Sequence, residues 1–251
     1  MTIKLYNDDF AAALDSLEDN SVDLVLCDPP YGATDAQWDK SLDLPKMWQA
    51  VNRVLKPDAY AVFFCYERFT VDLIQSNYDN YKYRFVWVKD QGSDFLNAKF
   101  KPMSKHEDIA VFNRTGITRA YYDPQRIPGG KPYYTVRHDH VTSELYRRRF
   151  KKGISTSCSK DGSRLVTTVL NYPRVKGKDK IHSTQKPVDL LCLLIESYCP
   201  PGGTVLDFCM GSGSCGVAAV KCDRDFIGVE INPDTFSKAQ KAIMTAMDNR
   251  E

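Results

Sequence analysis

The sequence predicts a doubly wound α/β fold, built on a mostly parallel sheet and interrupted by one basic insertion. Short apolar runs alternate with segments of helical periodicity, which is typical of strands joined by helical crossovers. A polar stretch from about residue 113 to 180 has neither pattern and is rich in Gly, Pro, Ser, Tyr and basic residues. We therefore expect one domain over residues 1–251 with an insertion over about 113–180.

The strongest early strand signal is the apolar run over residues 22–27. It is halted by Pro29 and Pro30, because proline has no backbone donor. Similar runs predict strands over 60–65, 85–88, 109–112, 204–206 and 226–229. Apolar residues at helical spacing predict helices over 44–55, 188–198 and 234–247. Ligands of such folds bind at the carboxyl ends of the strands, so residues there are the candidates for a site.

Composition limits the class of protein. No run of about 18 apolar residues occurs, and the opening residues MTIKLYNDDF lack the basic and apolar regions of a signal peptide. The eight cysteines include no Cys-x-x-Cys pair, and most lie in apolar stretches. We expect a soluble, cytoplasmic protein with reduced cysteines and no metal site.

The charge is distributed unevenly along the chain. Residues 99–186 carry 20 Lys and Arg against 7 Asp and Glu, a balance of +13, whereas the remaining residues have a balance of −11. One basic block in an otherwise acidic chain favours a polyanionic partner, although a solvated basic face is the alternative.

A glycine-rich loop follows the predicted strand 204–206. The spacing Gly211-x-Gly213-x-x-Gly216 lets the backbone pass close to a ligand and aims a helix N-terminus at it. NAD-binding folds carry such a loop after their first strand, yet only about two elements remain here after Glu230. Earlier strands must then complete the sheet, and Asp207 stands where a carboxylate can meet an ammonium group, which favours S-adenosylmethionine. The candidate cofactor residues of this half are Asp207, Phe208, Gly211, Ser212, Gly213, Glu230 and Asn232.

The tetrapeptide Asp28-Pro29-Pro30-Tyr31 is the candidate catalytic motif. The exocyclic amine of a base is a poor nucleophile, because its lone pair is delocalised into the ring. If Asp28 and the Pro29 carbonyl accept the two amine hydrogens, the nitrogen moves toward tetrahedral geometry and its lone pair is freed. Pro30 fixes the backbone, and Tyr31 offers an aromatic face for an extruded base. Geometry and electrostatics would dominate this chemistry.

Around this tetrapeptide the sequence resembles the DNA amino-methyltransferases whose catalytic DPPY precedes the glycine motif, called the β arrangement. The matching pieces are residues 7–9, 21–24, 28–32, 95–99, 105–107, 182–187 and the 207–216 loop. They cover about residues 1–112 and 181–245. Two departures concern the cofactor contacts: Asp8 replaces a usual glycine, and the aromatic of Phe208-Cys209-Met210 stands one place early.

The resemblance implies a seven-stranded sheet of the adenosylmethionine-dependent methyltransferase type, with a circularly permuted motif order. It implies that Asp9 approaches the cofactor adenine, that Glu230 binds the ribose and that Asp28 also borders the cofactor. The methionine end would be held by Thr184, Gln185 and Lys186. The resemblance gives His106 and Glu107 no role that the residues explain; structural support and substrate contact both stay open.

The implied activity is methylation of N6 of adenine in double-stranded DNA by base flipping. An N4-cytosine methyltransferase is the nearest alternative, because cytosine carries the same kind of amine. A catalytically inactive DNA-binding protein and an NAD oxidoreductase are alternatives of other classes. An RNA or protein-glutamine methyltransferase is disfavoured, because Asp and not Asn opens the tetrapeptide.

The basic insertion is interpreted as a compact target-recognition region. Arg and Lys contact phosphates, and interleaved tyrosines can stack on bases. The candidate DNA-binding residues are Arg147, Arg148, Arg149, Lys151, Lys152, Arg174 and Lys176. A bacterial or phage-infected cell is the expected setting. The recognition sequence, the choice between monomer and homodimer, and a cognate restriction endonuclease stay open.

Overall fold

An eight-stranded sheet forms the centre of the larger of two structural units. The computed structural model describes residues 1–32, 42–114, 120–138, 154–176 and 185–250. The larger unit comprises Met1–Asp123 and Thr168–Glu251, and the smaller one is Pro124–Thr167. No helix in the described ranges is long and apolar enough to cross a membrane.

The strands of the larger unit are β1 (Ile3–Tyr6), β2 (Val22–Cys27), β3 (Leu55–Cys65), β4 (Tyr81–Ser93), β5 (Ser104–Asn113), β10 (Val169–Asn171), β11 (Thr204–Asp207) and β12 (Asp225–Val229). Those of the smaller unit are β6 (Arg126–Ile127), β7 (Tyr133–His138), β8 (Ile154–Ser159) and β9 (Arg164–Leu165). The helices are α1 (Phe10–Asp15), α2 (Leu44–Val54), α3 (Glu67–Ser76), α4 (Val188–Tyr198), α5 (Ser214–Lys221) and α6 (Pro233–Asp248).

The strand order of the central sheet is β1-β12-β11-β2-β3-β5-β4-β10. Every neighbouring pair is parallel except β3 with β5 and β5 with β4. The predicted mostly parallel α/β sheet is confirmed. It has eight strands where seven were expected, because β10 pairs with the outer side of β4.

The predicted strands and helices of this unit all form. Several extend beyond the apolar runs that predicted them: β4 spans 13 residues and β3 spans 11. The sequence did not predict β1, α1, α3 or β10. In β1 the four residues are only partly buried or exposed, so no apolar run marks this strand. Helix α1 has six residues and is fixed by the Asp9 side chain, which accepts a hydrogen bond from the backbone of Ala11.

The smaller unit contains two antiparallel pairs, β6 with β9 and β7 with β8. Its limits, Pro124–Thr167, are narrower than the predicted insertion of about 113–180. Asn113 ends β5, and residues 169–171 form β10, so both ends of the polar stretch contribute to the central sheet.

The core lies on both faces of the sheet. Strand β2 is apolar on both faces, since Leu24, Val25 and Leu26 are all buried, as expected of a central parallel strand. On one face the rings of Trp48, Phe63 and Phe112 pack together with centroid separations of 4.8–6.1 Å.

Candidate active site

A cleft of about 1250 Å³ opens at the carboxyl edge of the sheet. Within the described part of the chain it gathers nearly every residue that the sequence marked for catalysis or cofactor binding. Its lining includes Asp9, Asp28, Pro29, Pro30, Tyr31, Gln185, Lys186, Asp207, Phe208, Gly211, Ser212, Glu230 and Asn232. Thr184 lies outside the described residues, and Gly213 is absent from the lining.

The two halves of the site meet because β2 and β11 are parallel neighbours. Leu24 pairs with Val205 and Val25 pairs with Leu206, so both strands end at the same level. Asp28 follows the last residue of β2, and Asp207 is the last residue of β11. Residues 179 positions apart in the sequence therefore share one edge of the sheet, where such folds bind ligands.

The Asp28 carboxylate is held from two sides. Tyr31 Oη donates to Asp28 Oδ1 at 2.6 Å, and Lys186 Nζ donates to Asp28 Oδ2 at 2.5 Å. The Tyr31 ring stacks on Phe69, with centroids 5.2 Å apart. Burial raises the pKa of Asp28, and the nearby Lys186 cation offsets only part of that rise. The carboxylate therefore keeps strong acceptor character in a largely enclosed position.

Two charged residues of the sheet, Glu107 and Lys89, continue the ion pair between Lys186 and Asp28. Lys186 Nζ lies 3.3 Å from Glu107 Oε2, and Lys89 Nζ lies 2.6 Å from Glu107 Oε1. Burial opposes the ionisation of Glu107, but Lys186 and Lys89 together hold its pKa below the ordinary value. Burial also opposes the charge of Lys186, yet Asp28 and Glu107 overcome it and raise the pKa of Lys186. All four groups line the cleft.

Asp207 has a different environment. It is 4% exposed, and its Oδ1 accepts a hydrogen bond from the backbone of Cys209 at 3.1 Å. No Lys, Arg or His of the described ranges forms an ion pair with it. Burial raises the pKa of Asp207 to about 7, and the charges of Asp28 and Glu230 add to the rise. A buried carboxylate in this state suits a cationic ligand group.

The glycine loop is tied to the next strand by Glu230. Gly211 has a φ of +48° and donates its backbone N–H to Glu230 Oε2 at 3.0 Å. The other oxygen, Oε1, accepts from the backbone of Asn232 at 2.9 Å. Gly213 has a different role: a Cβ there would lie 3.0 Å from atoms of Ala239 in α6, so its absence lets α5 and α6 pack closely.

The other predicted cofactor residues also have structural partners. Asp9 caps α1, and Asn232 caps α6 by accepting from the backbones of Asp234 and Thr235. The Phe208 ring packs against Phe10 and Phe63, at 5.7 Å and 6.1 Å. Ser212 is buried. These contacts leave Asp9, Phe208, Ser212 and Asn232 in the cleft wall.

The predicted DNA contacts fall mostly outside the described residues. Arg147, Arg148, Arg149, Lys151 and Lys152 all do. Lys176 forms an ion pair with Asp90, and the backbone of Arg174 donates to the same Asp90 at 3.1 Å.

The sequence missed one functional candidate and left another without a role. Lys89 directly follows the predicted strand run 85–88 and carries no motif of its own, so only the fold reveals it. Glu107 was noted beside His106. The two differ in the structure, since His106 is exposed and Glu107 points its carboxylate to two lysines.

Comparison with known proteins identifies the family. A family described as DNA methylase matches residues 22–241. The type II methyltransferase M.BglII of Bacillus subtilis is 28% identical over 250 residues, which is 92% of this chain and 66% of that protein. The DNA adenine methyltransferase YhdJ of Escherichia coli K12 is 27% identical over 256 residues, or 90% of this chain and 77% of that protein.

Solved structures share the fold. The M1.HpyAVI complex with S-adenosylmethionine has a TM-score of 0.64 at 22% identity and covers 96% of this chain and 99% of its own. The cytosine-N4-specific PvuII DNA methyltransferase has a TM-score of 0.67 at 15% identity, with 99% and 92% covered. The predicted methyltransferase-type sheet is thereby confirmed.

Replacing Asp207 tests its electrostatic environment. The pKa of Asp207 is about 7 in the folded protein, against an ordinary value of 3.8. Its contribution to the free energy of unfolding is therefore complete below pH 4 and is lost as the pH rises through 7. Asp207→Asn removes this loss. We expect the ligand-free variant to melt at least about 3 °C above the wild type at pH 8, with the difference shrinking toward pH 5.

Thermal melts across pH 5–8.5 measure this difference. Asp72→Asn, at an exposed carboxylate of α3, is the matched control and should show no such trend. A Tm difference for Asp207→Asn that is independent of pH would contradict the assigned environment.

Proposed function

The chain belongs to the DNA methylase family, and from that premise we propose that it methylates N6 of adenine in double-stranded DNA. S-adenosylmethionine is the methyl donor of this family. The observation that carries the proposal is the Asp28 carboxylate, held by Tyr31 and Lys186 in a cleft that also contains the uncompensated Asp207. The cleft thus has one place for an amine and another for a cation.

S-adenosylmethionine fits the part of the cleft beside Asp207. When bound, S-adenosylmethionine supplies a methyl group on a sulfonium centre, together with an ammonium group, a ribose and an adenine. Asp207 is the partner for the ammonium, because it is a buried carboxylate without a cation in the described residues. Gly211 and Ser212 line the cleft at the loop, and Glu230 can accept from the ribose hydroxyls. Asp9 and Gln185 complete the wall.

Asp28 and Pro29 are the groups that prepare the amine. The two hydrogens of the exocyclic nitrogen are donated to an Asp28 oxygen and to the Pro29 carbonyl, which directs the nitrogen lone pair toward the methyl carbon. The cofactor would supply an electrophilic methyl carbon, so that a new N–C bond would form as the S–C bond breaks with its electron pair left on sulfur. The nitrogen would release one proton to water through its hydrogen bond with Asp28. Tyr31 supports the extruded base, backed by the Phe69 ring.

The rim of the cleft suits duplex DNA. Phe95, Leu96 and Phe100 are all more than 75% exposed, and they neighbour Asn97 and Lys101 of the cleft lining. Exposed apolar side chains beside such a site can contact the strand from which a base has been extruded.

Two observations favour adenine over cytosine. Asp opens the tetrapeptide, and a relative matched over 90% of this chain is named a DNA adenine methyltransferase. N4 methylation of cytosine remains the second candidate, because the PvuII enzyme of that specificity has the same fold. A catalytically inactive DNA-binding protein is disfavoured, because the tetrapeptide and the described cofactor residues are all present.

Transfer of labelled methyl groups tests the proposed catalysis. Asp28→Ala removes the acceptor of one amine hydrogen, and we expect the rate of transfer from S-adenosylmethionine to DNA to fall by at least about 100-fold. The wild-type chain is the reference. Equal incorporation by the two proteins would refute the role of Asp28.

The product base distinguishes adenine from cytosine. DNA from a methylation-deficient host that expresses the chain is digested to nucleosides and analysed by mass spectrometry. We expect N6-methyladenine; N4-methylcytosine as the sole product would overturn the assignment and favour the second candidate.

The basic block is tested by the salt dependence of DNA binding. Neutralising Arg147, Arg148 and Arg149 together is expected to weaken binding to any duplex. The negative slope of log K against log salt should become shallower by about 1 to 3. Lys238→Ala with Lys241→Ala, on exposed positions of α6, is the control and should leave the slope unchanged. An unchanged slope for the arginine variant would exclude this block as a phosphate contact.

A further inference from the structure

Glu107 and Lys89 are linked to the Asp28 carboxylate through Lys186. Lys186 joins Asp28 at 2.5 Å to Glu107 at 3.3 Å, and Glu107 is in turn paired with Lys89 at 2.6 Å. We propose that Lys89 and Glu107 form a positioning pair that, through Lys186, sets the orientation and the charge of the Asp28 carboxylate. The inference rests on the proposed function of the site, in which Asp28 accepts a hydrogen from the target amine.

The pair belongs to the antiparallel strands β4 and β5. Glu107 is registered opposite Trp87, and Lys89 lies two residues beyond Trp87 on the same side of the strand. A register shift follows Val88, so β4 is irregular around Lys89. The Lys89 side chain is only 8% exposed, and that of Glu107 is 15% exposed. Backbone pairing of two strands therefore fixes where the Glu107 carboxylate lies.

One aromatic ring lies against each lysine. Lys186 Nζ lies 5.0 Å from the Phe64 ring centroid, and Lys89 Nζ lies 5.4 Å from that of Trp87. The Phe64 and Trp87 rings are themselves in edge contact at 6.2 Å. Apolar rings beside these mostly buried charges lower the local dielectric, which strengthens each charge interaction and makes an unpaired charge costly. The alternating order Asp28, Lys186, Glu107, Lys89 leaves each charge with an opposite neighbour.

The alternation of charges affects how strongly Asp28 accepts a hydrogen bond from the amine. A lysine that faced Asp28 alone would concentrate its positive charge on the carboxylate and weaken it as an acceptor for the amine. Glu107 attracts Lys186 from the opposite side, so the cation is shared between two carboxylates. Lys89 in turn offsets part of the Glu107 charge, which limits how strongly Glu107 draws Lys186 away from Asp28. Lys186 is thereby held against Asp28 Oδ2 while Tyr31 occupies Oδ1.

Two substitutions that keep the side-chain size are expected to act in opposite directions. Glu107→Gln leaves Lys186 to Asp28 alone, so the pKa of Asp28 falls and the acid limb of kcat moves to lower pH. Lys89→Met leaves Glu107 to compete for Lys186, so the acid limb moves to higher pH. Each shift should be at least about 0.5 pH unit, and kcat near neutral pH should fall about tenfold.

Other ionisable groups around Asp28 stay in place in both variants. They are Tyr31 and Cys27 beside it in sequence, Lys186 before α4, Asp207 and Cys209 at the end of β11, and Glu230 after β12. The profiles are measured as kcat at saturating cofactor and DNA, so that titration of Asp207 in the free enzyme does not enter.

Steady-state methyl transfer by the full chain, with KM values for S-adenosylmethionine and DNA, decides between roles. We expect both KM values to stay within about twofold of the wild type. The double variant should behave like Glu107→Gln alone, because Lys89 acts through Glu107. Asp19→Asn, at the exposed ion pair with Arg53 outside the cleft, is the matched control and should leave the pH profile unchanged.

Several outcomes would overturn the inference. One is a raised KM for DNA with unchanged kcat, which indicates direct substrate contact. Another is an acid limb of kcat that stays at the wild-type pH in the variants. A third is a shift in the double variant that equals the sum of the two single shifts. If Glu107→Gln does not fold, Lys89→Met alone carries the test by the direction of its shift. A wild type that fails to methylate DNA would refute the proposed function instead, so the two failures are distinguishable.

Discussion

The parallel pairing of β2 with β11 is the constraint on which the rest of the structure depends. It places the end of a strand from residues 22–27 beside the end of a strand from residues 204–207. Asp28 and Asp207 thereby share one enclosed edge, together with Glu107 and Glu230. Carboxyl groups gathered at such an edge repel one another and lose hydration, so each needs a partner that its environment supplies.

The chain meets this need in two ways. Around Asp28 the compensation is internal, through Lys186 and, behind it, the pair of Glu107 with Lys89. Around Asp207 the described residues offer no cation, and burial raises the pKa of that carboxyl to about 7. One half of the cleft is therefore preorganised for a neutral group that donates hydrogens, and the other half is suited to a positively charged ligand. A base amine and S-adenosylmethionine match these two halves.

Much of this arrangement could be predicted from the sequence, because local patterns carry it. The apolar run before Asp28 and the glycine loop after Asp207 both mark strand ends, and strand ends meet at one edge of a parallel sheet. What the sequence could not provide depends on pairing between distant segments. The link from Glu107 to Lys186 requires the register of β5 and the position of the segment before α4. The packing role of Gly213 requires α6 to cross α5 at Ala239. Strand β10 has only three residues, and its place beside β4 follows from the sheet and not from its own composition.

In the proposed mechanism, one cleft holds a cation at Asp207 and a flipped base at Asp28. The most direct measurement is the structure of a ternary complex with an unreactive amine analogue of S-adenosylmethionine and duplex DNA that contains the target site. We expect the ligand ammonium within hydrogen-bond distance of Asp207, and the exocyclic nitrogen of an extruded adenine between Asp28 and the Pro29 carbonyl. A target base still stacked in the duplex, or a ligand ammonium away from Asp207, would contradict it.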